Sequence, residues 1–359
     1  MPEQAVPDYS FIKQQLETGR VIPFLGSAAS LVGQSGSAKT PDDVLTAKGA
    51  SVIEAKAAQN DNDQSSDLQQ ATSDSNVPTS AKQINPQGDE IFEFAQRHIP
   101  PSAAELARWL AHKTALPKDE VFDLATVAQY LKAVGGSGPL YIKLHEIFSR
   151  DYPATPLHEY LAAVAANVPL LVITTNYDDI IERAFQEVPH DVVVHICDPK
   201  LGDNVFLKHH RKVDGSWADS EPEKVIPNKL KKVDLAKTSV IYKMHGAVDK
   251  RKPDRDQYVI AEDDYIDFLT RMTKNTAIPA IFTEAFQSRH FLFLGYGLRD
   301  WNLRVILNRI QDNLGSSSDF TSWAIQYKPT LLESRFWIKR DVQLFDLDLM
   351  DFVQRLKAA

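Results

Sequence analysis

The sequence contains little of several features that would each point to a particular class of protein. It has one cysteine, Cys197, among 359 residues, which excludes a disulfide framework and a zinc site built from several cysteines. The first ten residues have neither a basic start nor an apolar stretch, so they predict no signal peptide. No apolar run approaches the roughly 18 residues that a membrane-spanning helix needs. We therefore expect a cytoplasmic protein that does not enter a membrane.

An excess of positive charge is also missing. The 40 lysine and arginine residues are outnumbered by 48 aspartate and glutamate residues, which gives a net charge of −8. Binding to nucleic acid needs a basic surface, so we expect no direct contact with nucleic acid. An apolar content of 43% is ordinary for a globular protein. The chain is longer than one compact core usually needs, and we expect an α/β domain with a helical part inserted into it.

The most informative stretch is Leu170–Asp178, with the sequence LLVITTNYD. Its first six residues are apolar or β-branched, which is typical of a strand buried on both faces of a parallel sheet. The strand leads into Asn176-Tyr177-Asp178 and then into a predicted helix at Asp179–Gln186. Open α/β sheets bind their ligands at the carboxyl ends of such strands. We therefore interpret this stretch as the floor of a nucleotide site.

A second unit of strand and turn lies near the start of the chain. Residues Arg20–Leu25 predict a strand with Pro23 near its end, and Gly26–Ser30 then turns the chain into a short helix. A glycine followed by small residues lets a ligand approach the backbone, and the first N–H groups of a helix can bind phosphate. Small residues are also common in ordinary turns between strands and helices, so this turn alone leaves both interpretations open.

Two later strands end in comparable turns. Ser239–Met244 leads into His245-Gly246, and His290–Leu294 leads into Gly295–Leu298. Strands that alternate with helices predict a Rossmann-like, doubly wound parallel sheet. All four turns then open on one edge of the sheet, and their convergence is more informative than any single motif.

The remaining elements complete the predicted sheet. We expect His195, which alternates with valines in a strand, to be a packed histidine, and residues 198–237 to form a long loop or a short hairpin. The other predicted strands are Asp191–Ile196, Gln257–Ile260, Ser322–Gln326 and Val342–Leu347. The other predicted helices are Tyr9–Glu17, Asp42–Gln59, Asp263–Arg271, Ile278–Phe286, Asp300–Asn313, Leu331–Ile338 and Leu349–Lys357.

Residues 34–167 predict an insertion that divides the α/β domain into residues 1–33 and 168–359. Residues 60–85 are rich in Asn, Asp, Gln and Ser, so they bury too little surface to offset the entropy of ordering. We interpret them as a mobile surface loop, with a lid over the nucleotide or a partner-ordered segment as the alternatives. Residues 91–167 show apolar side chains at helical spacing and predict a helical subdomain.

Taken in order, the four turns resemble the motifs of the sirtuins. FLGSAAS at Phe24–Ser30 corresponds to the phosphate turn of that family, and TTNYD at Thr174–Asp178 corresponds to its threonine-glutamine-asparagine-isoleucine-aspartate segment. MHG at Met244–Gly246 matches its histidine-glycine, and FLGYGL at Phe293–Leu298 matches its late glycine turn. These motifs are similar to those of the bacterial sirtuin-like NAD hydrolases of anti-phage defence. Those proteins share FLGYGLRDWN and an acidic stretch like that at Glu262–Tyr265.

The resemblance implies NAD as the bound dinucleotide and gives each motif residue a role. It implies that Asn176 orients a water and the nicotinamide ribose, and that His245 is the general base. The residues that would bind NAD are Gly26, Ser27, Ala28 and Ser30 in the phosphate turn, Thr175, Tyr177 and Asp178 in the central turn, with Asp178 on the nicotinamide carboxamide, and Gly295, Tyr296 and Gly297 around the adenosine ribose.

Each of these residues also has a plainer interpretation. Asn176 and Asp178 are both good caps for the helix that follows them. His245 alone fits a buried, satisfied histidine beside a strand. Histidine does suit a base that works near neutral pH, because its unperturbed pKa is close to that range.

Two departures from the sirtuin pattern bear on the reaction. Ala28 replaces a glycine of the phosphate turn, and its methyl group crowds the approach of a pyrophosphate. Residues 250–288 contain no cysteine, so the four-cysteine zinc module of protein-deacylating sirtuins is missing and we expect no metal.

We therefore expect an NAD glycohydrolase, with a protein deacylase and a non-catalytic NAD or ADP-ribose binding subunit as alternatives. The resemblance further implies a homo-oligomer or a partner such as a HerA-type ATPase or a short Argonaute.

Overall fold

The computed structural model describes residues 6–33, 98–112, 123–196, 206–211, 221–226, 230, 233–273, 278–296, 321–340 and 342–359. Four predictions therefore lie outside the described residues. They concern the helix at 42–59, the loop at 60–85, the role of Gly297 and the helix at 300–313.

Nine strands of the described part of the chain form one sheet, in the order β5-β4-β3-β6-β2-β1-β7-β8-β9. Seven consecutive strands, β3-β6-β2-β1-β7-β8-β9, run parallel to one another. β4 is antiparallel to β3, and β5 is antiparallel to β4. The strands are β1 (Val21–Leu25), β2 (Leu171–Thr174), β3 (His190–His195), β4 (Phe206–Arg211), β5 (Glu223–Val225), β6 (Ser239–Lys243), β7 (His290–Leu294), β8 (Ser322–Gln326) and β9 (Val342–Asp346).

Ten α-helices lie within the described residues. They are α1 (Tyr9–Glu17), α2 (Ala103–His112), α3 (Leu124–Gly135), α4 (Ser137–Phe148), α5 (Pro156–Ala165), α6 (Ile180–Ala184), α7 (Glu262–Thr273), α8 (Ala280–Ser288), α9 (Leu331–Ile338) and α10 (Leu349–Ala358). Local capping explains several of these boundaries. The Asp8 side chain accepts a hydrogen bond from the N–H of Phe11 at the start of α1, and Thr330 and Glu333 form a capping box at α9.

The sheet is covered on both faces, which confirms the doubly wound parallel fold. Alternate side chains of each strand point to opposite faces, so in β1 Val21 and Leu25 pack with α1, α5 and α10, whereas Ile22 and Phe24 pack with α7, α8 and α9. The central strands β1, β2, β3, β6 and β7 are buried along their whole length. This burial explains why their sequences are apolar runs rather than alternating patterns.

The helices α2, α3 and α4 form a separate hydrophobic cluster. Residues Tyr177, Val248 and Tyr258 from the sheet side of the molecule join that cluster, so the helical block packs directly beside the carboxyl edge of the sheet. The helix α5 instead packs in the sheet cluster through Leu157 and Leu161. The helical character predicted for residues 91–167 holds in the described part, while the domain boundaries stay a prediction.

Two details of the predicted sheet are wrong. Pro23 lies in the middle of the central strand β1, where it pairs with Leu292 of β7, and the ladder between β1 and β2 contains only Phe24 and Leu25. A proline, which has no N–H to donate, is accommodated because that ladder begins one residue later. The segment 257–260 is not a strand, although it lies extended beside residues 245–247.

The region predicted as a loop or short hairpin contains the antiparallel pair β4 and β5, so the hairpin interpretation is confirmed. His195 is buried, with its ring edge-on to Phe206 and Phe268. Burial lowers the pKa of His195 to about 3, so this histidine is neutral at physiological pH, as expected for a packed side chain.

Candidate active site

The four predicted turns follow four strands that are neighbours in the sheet, in the order β6, β2, β1 and β7. The strands are parallel, and their register pairs Leu25 with Thr174 and with Leu294, and Thr174 with Lys243. Asn176 and His245 therefore lie two residues beyond paired positions on adjacent strands. We call the edge formed by residues 26–30, 175–178, 245–246 and 295–296 the carboxyl rim.

The turns after β1 and β7 are packed directly against each other. The N–H of Gly26 donates to Leu294 O at 2.9 Å, and the N–H of Ala28 donates to Gly295 O at 3.2 Å. A Cβ atom on Gly26 would lie 2.5 Å from Gly295 O, and a Cβ on Gly295, whose φ is +77°, would lie 2.5 Å from the Ala29 nitrogen. Both glycines are therefore required by the contact between the two turns.

This packing changes the interpretation of the phosphate turn. The glycine makes room for the β7 turn, and two N–H groups of the segment, those of Ala28 and Ala29, already donate to carbonyl oxygens. The residues that face outward are Ser27 and Ala28, which are exposed, whereas Ser30 is buried. A pyrophosphate would meet this outer surface of the short 3₁₀ helix at Ser27–Leu31.

Asn176 joins the first two turns. Its side-chain nitrogen donates to Gly26 O at 3.1 Å and to Ser30 Oγ at 3.0 Å. The plainer interpretation, a cap for the helix α6, does not apply, because the N-cap of α6 is Asp179. The amide is half-buried, so one edge is fixed by the protein while the residue still reaches solvent.

Asp178 is anchored beneath the same turns. Its Oδ2 accepts from Ser30 Oγ at 3.3 Å, and its Oδ1 accepts from the Ile180 N–H at 3.1 Å, near the start of α6. The side chain is buried, and burial raises the pKa of Asp178 above its ordinary value while the charge of Lys243 opposes that rise. Part of the plainer interpretation thus holds, since one oxygen supports the start of the following helix.

The hydroxyl groups of the two rim tyrosines hydrogen-bond to main-chain oxygens. Tyr296 donates to Leu25 O at 3.0 Å and its hydroxyl lies 3.1 Å from Thr175 Oγ1. Tyr177 donates to Val259 O at 2.7 Å, and its ring packs edge-on against Phe148 of the helical block. These side chains are occupied by protein contacts, so a ligand would meet the backbone around them.

His245 is almost completely buried, with 2% of its surface exposed. Its imidazole lies edge-on to Tyr265 and Phe268 of α7, with ring centroids 5.7 and 5.4 Å away. Its carbonyl accepts from the Val259 N–H at 2.8 Å, which ties the turn to the extended segment 257–260. The helix α7 therefore covers the imidazole in this conformation.

The helix α7 is itself held by the helical block. Thr126, Gln129 and Lys132 of α3 contact three consecutive acidic residues at the start of α7. The pairs are Thr126 Oγ1 with Glu262 Oε1 at 2.7 Å, Gln129 Nε2 with Asp263 Oδ2 at 2.7 Å and Lys132 Nζ with Asp264 Oδ1 at 2.5 Å. The acidic stretch that resembles the defence sirtuins thus joins the helical block to the cover of His245.

A cavity of about 90 Å³ lies beside the carboxyl rim and not within it. Its walls include Asp179 and Glu182 near α6 and Val248 and Lys250 after β6, and none of the predicted site residues lines it. Lys250 forms ion pairs with Asp179 at 2.7 Å and with Asp151 at 2.8 Å at its border.

Sequence reasoning missed two charged residues close to the rim, Lys243 and Glu182. Both are buried, and the Lys243 ammonium lies 3.0 Å from Glu182 Oε1. The available signal is a charged residue inside an apolar run, because Lys243 stands between Tyr242 and Met244. Such a residue is seldom buried without a partner.

Within the described residues, no three His, Cys, Asp or Glu side chains lie close enough together to hold a metal ion. None of the helices described for this chain has the length and apolar character needed to cross a bilayer.

Comparison with known proteins finds a family similarity that covers most of the rim. The SIR2-like domain family matches residues 170–345. An NAD(+) hydrolase ThsA from Acinetobacter baumannii (strain 532279) is 29% identical over 213 residues, which are 58% of this chain and 35% of that protein. An NAD(+) hydrolase ThsA from Bacillus cereus (strain MSX-D12) is 27% identical over 212 residues, or 58% of this chain and 36% of that protein.

A third relative, defense-associated sirtuin 2 from Bacillus subtilis, is 24% identical over 226 residues, or 60% of this chain and 18% of that protein. The matched part of the chain spans about a third of the length of the two ThsA relatives. The matched region contains the turns after β2, β6 and β7, so the similarity to the SIR2-like domain family covers three of the four turns.

Proposed function

We propose that this chain is an NAD⁺ glycohydrolase that cleaves the bond between nicotinamide and ribose to give nicotinamide and ADP-ribose. The observation that supports it best is the joining of the first two turns by the Asn176 amide, which contacts both Gly26 and Ser30. The names of the ThsA relatives support NAD⁺ as the substrate.

The side chains of the rim suit this reaction. Cleavage builds positive charge on the ribose carbon while nicotinamide leaves as a neutral molecule, so little acid catalysis is needed. Asn176 would orient the attacking water and the nicotinamide ribose, and Asp178 would hold the carboxamide. His245 would accept the proton of the attacking group, a task that suits an imidazole near neutral pH.

The dinucleotide would extend from the turn after β2 to the turn after β7. Exposed Ser27 and Ala28 lie between those two turns, because β1 stands between β2 and β7. Gly295 is half-buried and presents backbone to the ribose of adenosine. The carboxyl ends of neighbouring parallel strands are the usual place for a nucleotide in such a sheet.

A protein deacylase is the second candidate and has less support. Residues 250–288, where deacylating sirtuins carry their four-cysteine module, contain no cysteine and include α7 and α8. A non-catalytic binding subunit is a third candidate. The presence of both Asn176 and His245 at neighbouring strand ends favours a catalyst over that candidate.

We further propose that the enzyme is cytoplasmic and regulated, and the burial of His245 supports the regulation. The imidazole is covered by Tyr265 and Phe268, so NAD⁺ would reach it only after α7 shifts. Depletion of NAD⁺ in abortive infection would require such restraint, because the reaction kills the host. Assembly into a homo-oligomer, or binding of a HerA-type ATPase or a short Argonaute, would then provide the trigger through the helical block.

One assay separates the candidates. The purified chain is incubated with NAD⁺, with and without an acetylated peptide, and nicotinamide, ADP-ribose and acetylated ADP-ribose are quantified by chromatography. We expect slow release of nicotinamide and ADP-ribose that does not depend on the peptide, because α7 covers His245 in the chain on its own. Release that depends strictly on the peptide would support the deacylase, and binding of NAD⁺ without any product would support the binding subunit.

We expect Asn176→Ala to reduce hydrolysis of NAD⁺ by a factor of about 100 or more, because the substitution removes the amide that would orient the water. The matched control is Asn167→Ala, since Asn167 is an exposed residue whose side chain donates only locally to Ala163 O. Initial rates of nicotinamide release measure the effect. Equal rates in the two variants would contradict the placement of the site.

A further inference from the structure

A buried ion pair lies directly beneath the turn that carries Asn176 and Asp178. Lys243 is the last residue of β6 and has no exposed surface, and its ammonium lies 3.0 Å from Glu182 Oε1 in α6. The Glu182 side chain is also buried, with 5% of its surface exposed. The pair therefore joins the end of β6 to α6, the helix that follows the neighbouring strand β2.

The Lys243 ammonium has a second acceptor in the same place. It donates a hydrogen bond to the main-chain oxygen of Asp178. Strand register pairs Lys243 with Thr174 of β2 and with Val194 of β3, so the base of the lysine is fixed by the sheet. The hydrogen bond thus fastens the carbonyl of Asp178 to a rigid strand.

Removing two charges from water is costly, and an ion pair in the interior often adds no stability compared with apolar residues of the same size. A buried Lys–Glu pair beside the rim therefore calls for an explanation other than stability. The acceptor that distinguishes this lysine is the carbonyl of Asp178, whose side chain contacts Ser30 and the start of α6. The pair acts on the turn that would hold nicotinamide.

We propose that Lys243 is a positioning residue, and that Glu182 holds its ammonium against the carbonyl of Asp178 so that the turn 176–178 keeps the orientation needed to bind nicotinamide. The inference rests on the proposed NAD⁺ hydrolase function for its kinetic consequences. Its structural part, the fixing of the turn by Lys243, is independent of that function.

Two variants separate positioning from folding. Lys243→Met removes the ammonium but leaves Glu182 buried without its partner, which lowers stability. The double variant Lys243→Met/Glu182→Leu removes both partners of the ion pair, so neither of them is left as an unpaired charge and we expect it to fold. Both variants remove the hydrogen bond from Lys243 to the carbonyl of Asp178. The comparison of the double variant with the wild type is the decisive test.

The structural readout is hydrogen exchange followed by mass spectrometry on the full chain without NAD⁺. We expect faster exchange of the amides at residues 176–180 in the double variant than in the wild type. The amides of β1 and β7 report on the rest of the sheet, and we expect them to exchange at the wild-type rate. Unchanged exchange at 176–180 in a folded double variant would overturn the inference.

The kinetic readout compares the two products as inhibitors of NAD⁺ hydrolysis. We expect the inhibition constant for nicotinamide to rise about tenfold in the double variant, because small displacements of positioning groups weaken binding strongly. We expect the constant for ADP-ribose to stay within about twofold, since its adenosine end would bind at the β7 turn, away from the substitution. A general structural defect would weaken both products alike, and that outcome would also overturn the inference.

The failure of the proposed function gives a different result. A wild-type chain that neither binds ADP-ribose nor hydrolyses NAD⁺ would overturn the hydrolase proposal, while faster exchange at residues 176–180 in the double variant would still support the role of Lys243. A wild-type chain that hydrolyses NAD⁺, with a double variant of unchanged exchange and unchanged inhibition, would overturn the role of Lys243 alone.

Discussion

The His245→Ala variant is expected to lose NAD⁺ hydrolysis by a factor of about 100 to 10,000, the usual contribution of a positioned general base. His245 follows β6 and Asn176 follows the neighbouring strand β2. Each lies two residues beyond the paired residues Lys243 and Thr174. Removal of the ring leaves the other groups of the rim in place, so substrate binding is affected less than turnover. Steady-state rates of nicotinamide release, with NAD⁺ varied, separate the two effects.

His195 provides a matched control for this experiment. Both histidines are buried and both rings lie edge-on to Phe268, at 5.2 Å for His195 and 5.4 Å for His245. The substitutions His195→Ala and His245→Ala therefore remove similar packing and are expected to lower thermal stability by similar amounts. Only His245→Ala should abolish turnover. If both variants lose activity in proportion to their lost stability, His245 is a packed histidine and the hydrolase mechanism fails.

The Gly246→Ala variant is expected to lower the free energy of unfolding by at least about 4 kcal/mol, which is at the upper end of single substitutions. Gly246 has a φ of +88°, and a Cβ atom there would lie 2.0 Å from the carbonyl oxygen of Gln257. The neighbour is backbone, fixed by the hydrogen bonds of Gln257 and Val259 to residues 247 and 245. Neither the strain nor the clash is relieved without moving the turn that carries the imidazole.

Gly138 is the matched control for Gly246. It lies in the first turn of α4, and a Cβ atom there meets nothing within 4 Å. We expect Gly138→Ala to leave stability unchanged or to raise it slightly, because alanine is the better helix former. Urea denaturation monitored by circular dichroism measures both variants. Equal stability of the two variants would contradict the close approach of Gly246 to the carbonyl oxygen of Gln257.

Much of the fold is predictable because the informative patterns are local. The apolar run before Asn176 predicts a buried strand, and the helix at Tyr9–Glu17 is recovered with its cap at Asp8. Parallel pairing then brings the four strand ends to one edge without further information. The placement of the candidate residues along the carboxyl rim follows from those two steps.

Long-range contacts account for what sequence reasoning did not provide. Gly26 is recognisable as a turn glycine, but its close neighbour is Gly295, more than 250 residues away in the chain. The burial of His245 depends on packing between the turn after β6 and the helix α7. Neither segment has a local sequence pattern that predicts this contact. Gln257–Ile260 has the composition of a strand, yet the N–H groups of Gln257 and Val259 donate to the turn after β6 and not to a strand of the sheet.

The three contacts between α3 and α7 have a consequence for how the chain responds to force. Thr126, Gln129 and Lys132 recur every third residue on one side of α3, and their partners are consecutive in α7. Each contact near the surface contributes less than about 1 kcal/mol, yet a rotation of α3 about its axis separates all three together. A displacement of α3 that breaks one of these contacts is therefore expected to loosen the other two as well, and with them the start of the helix that covers the imidazole.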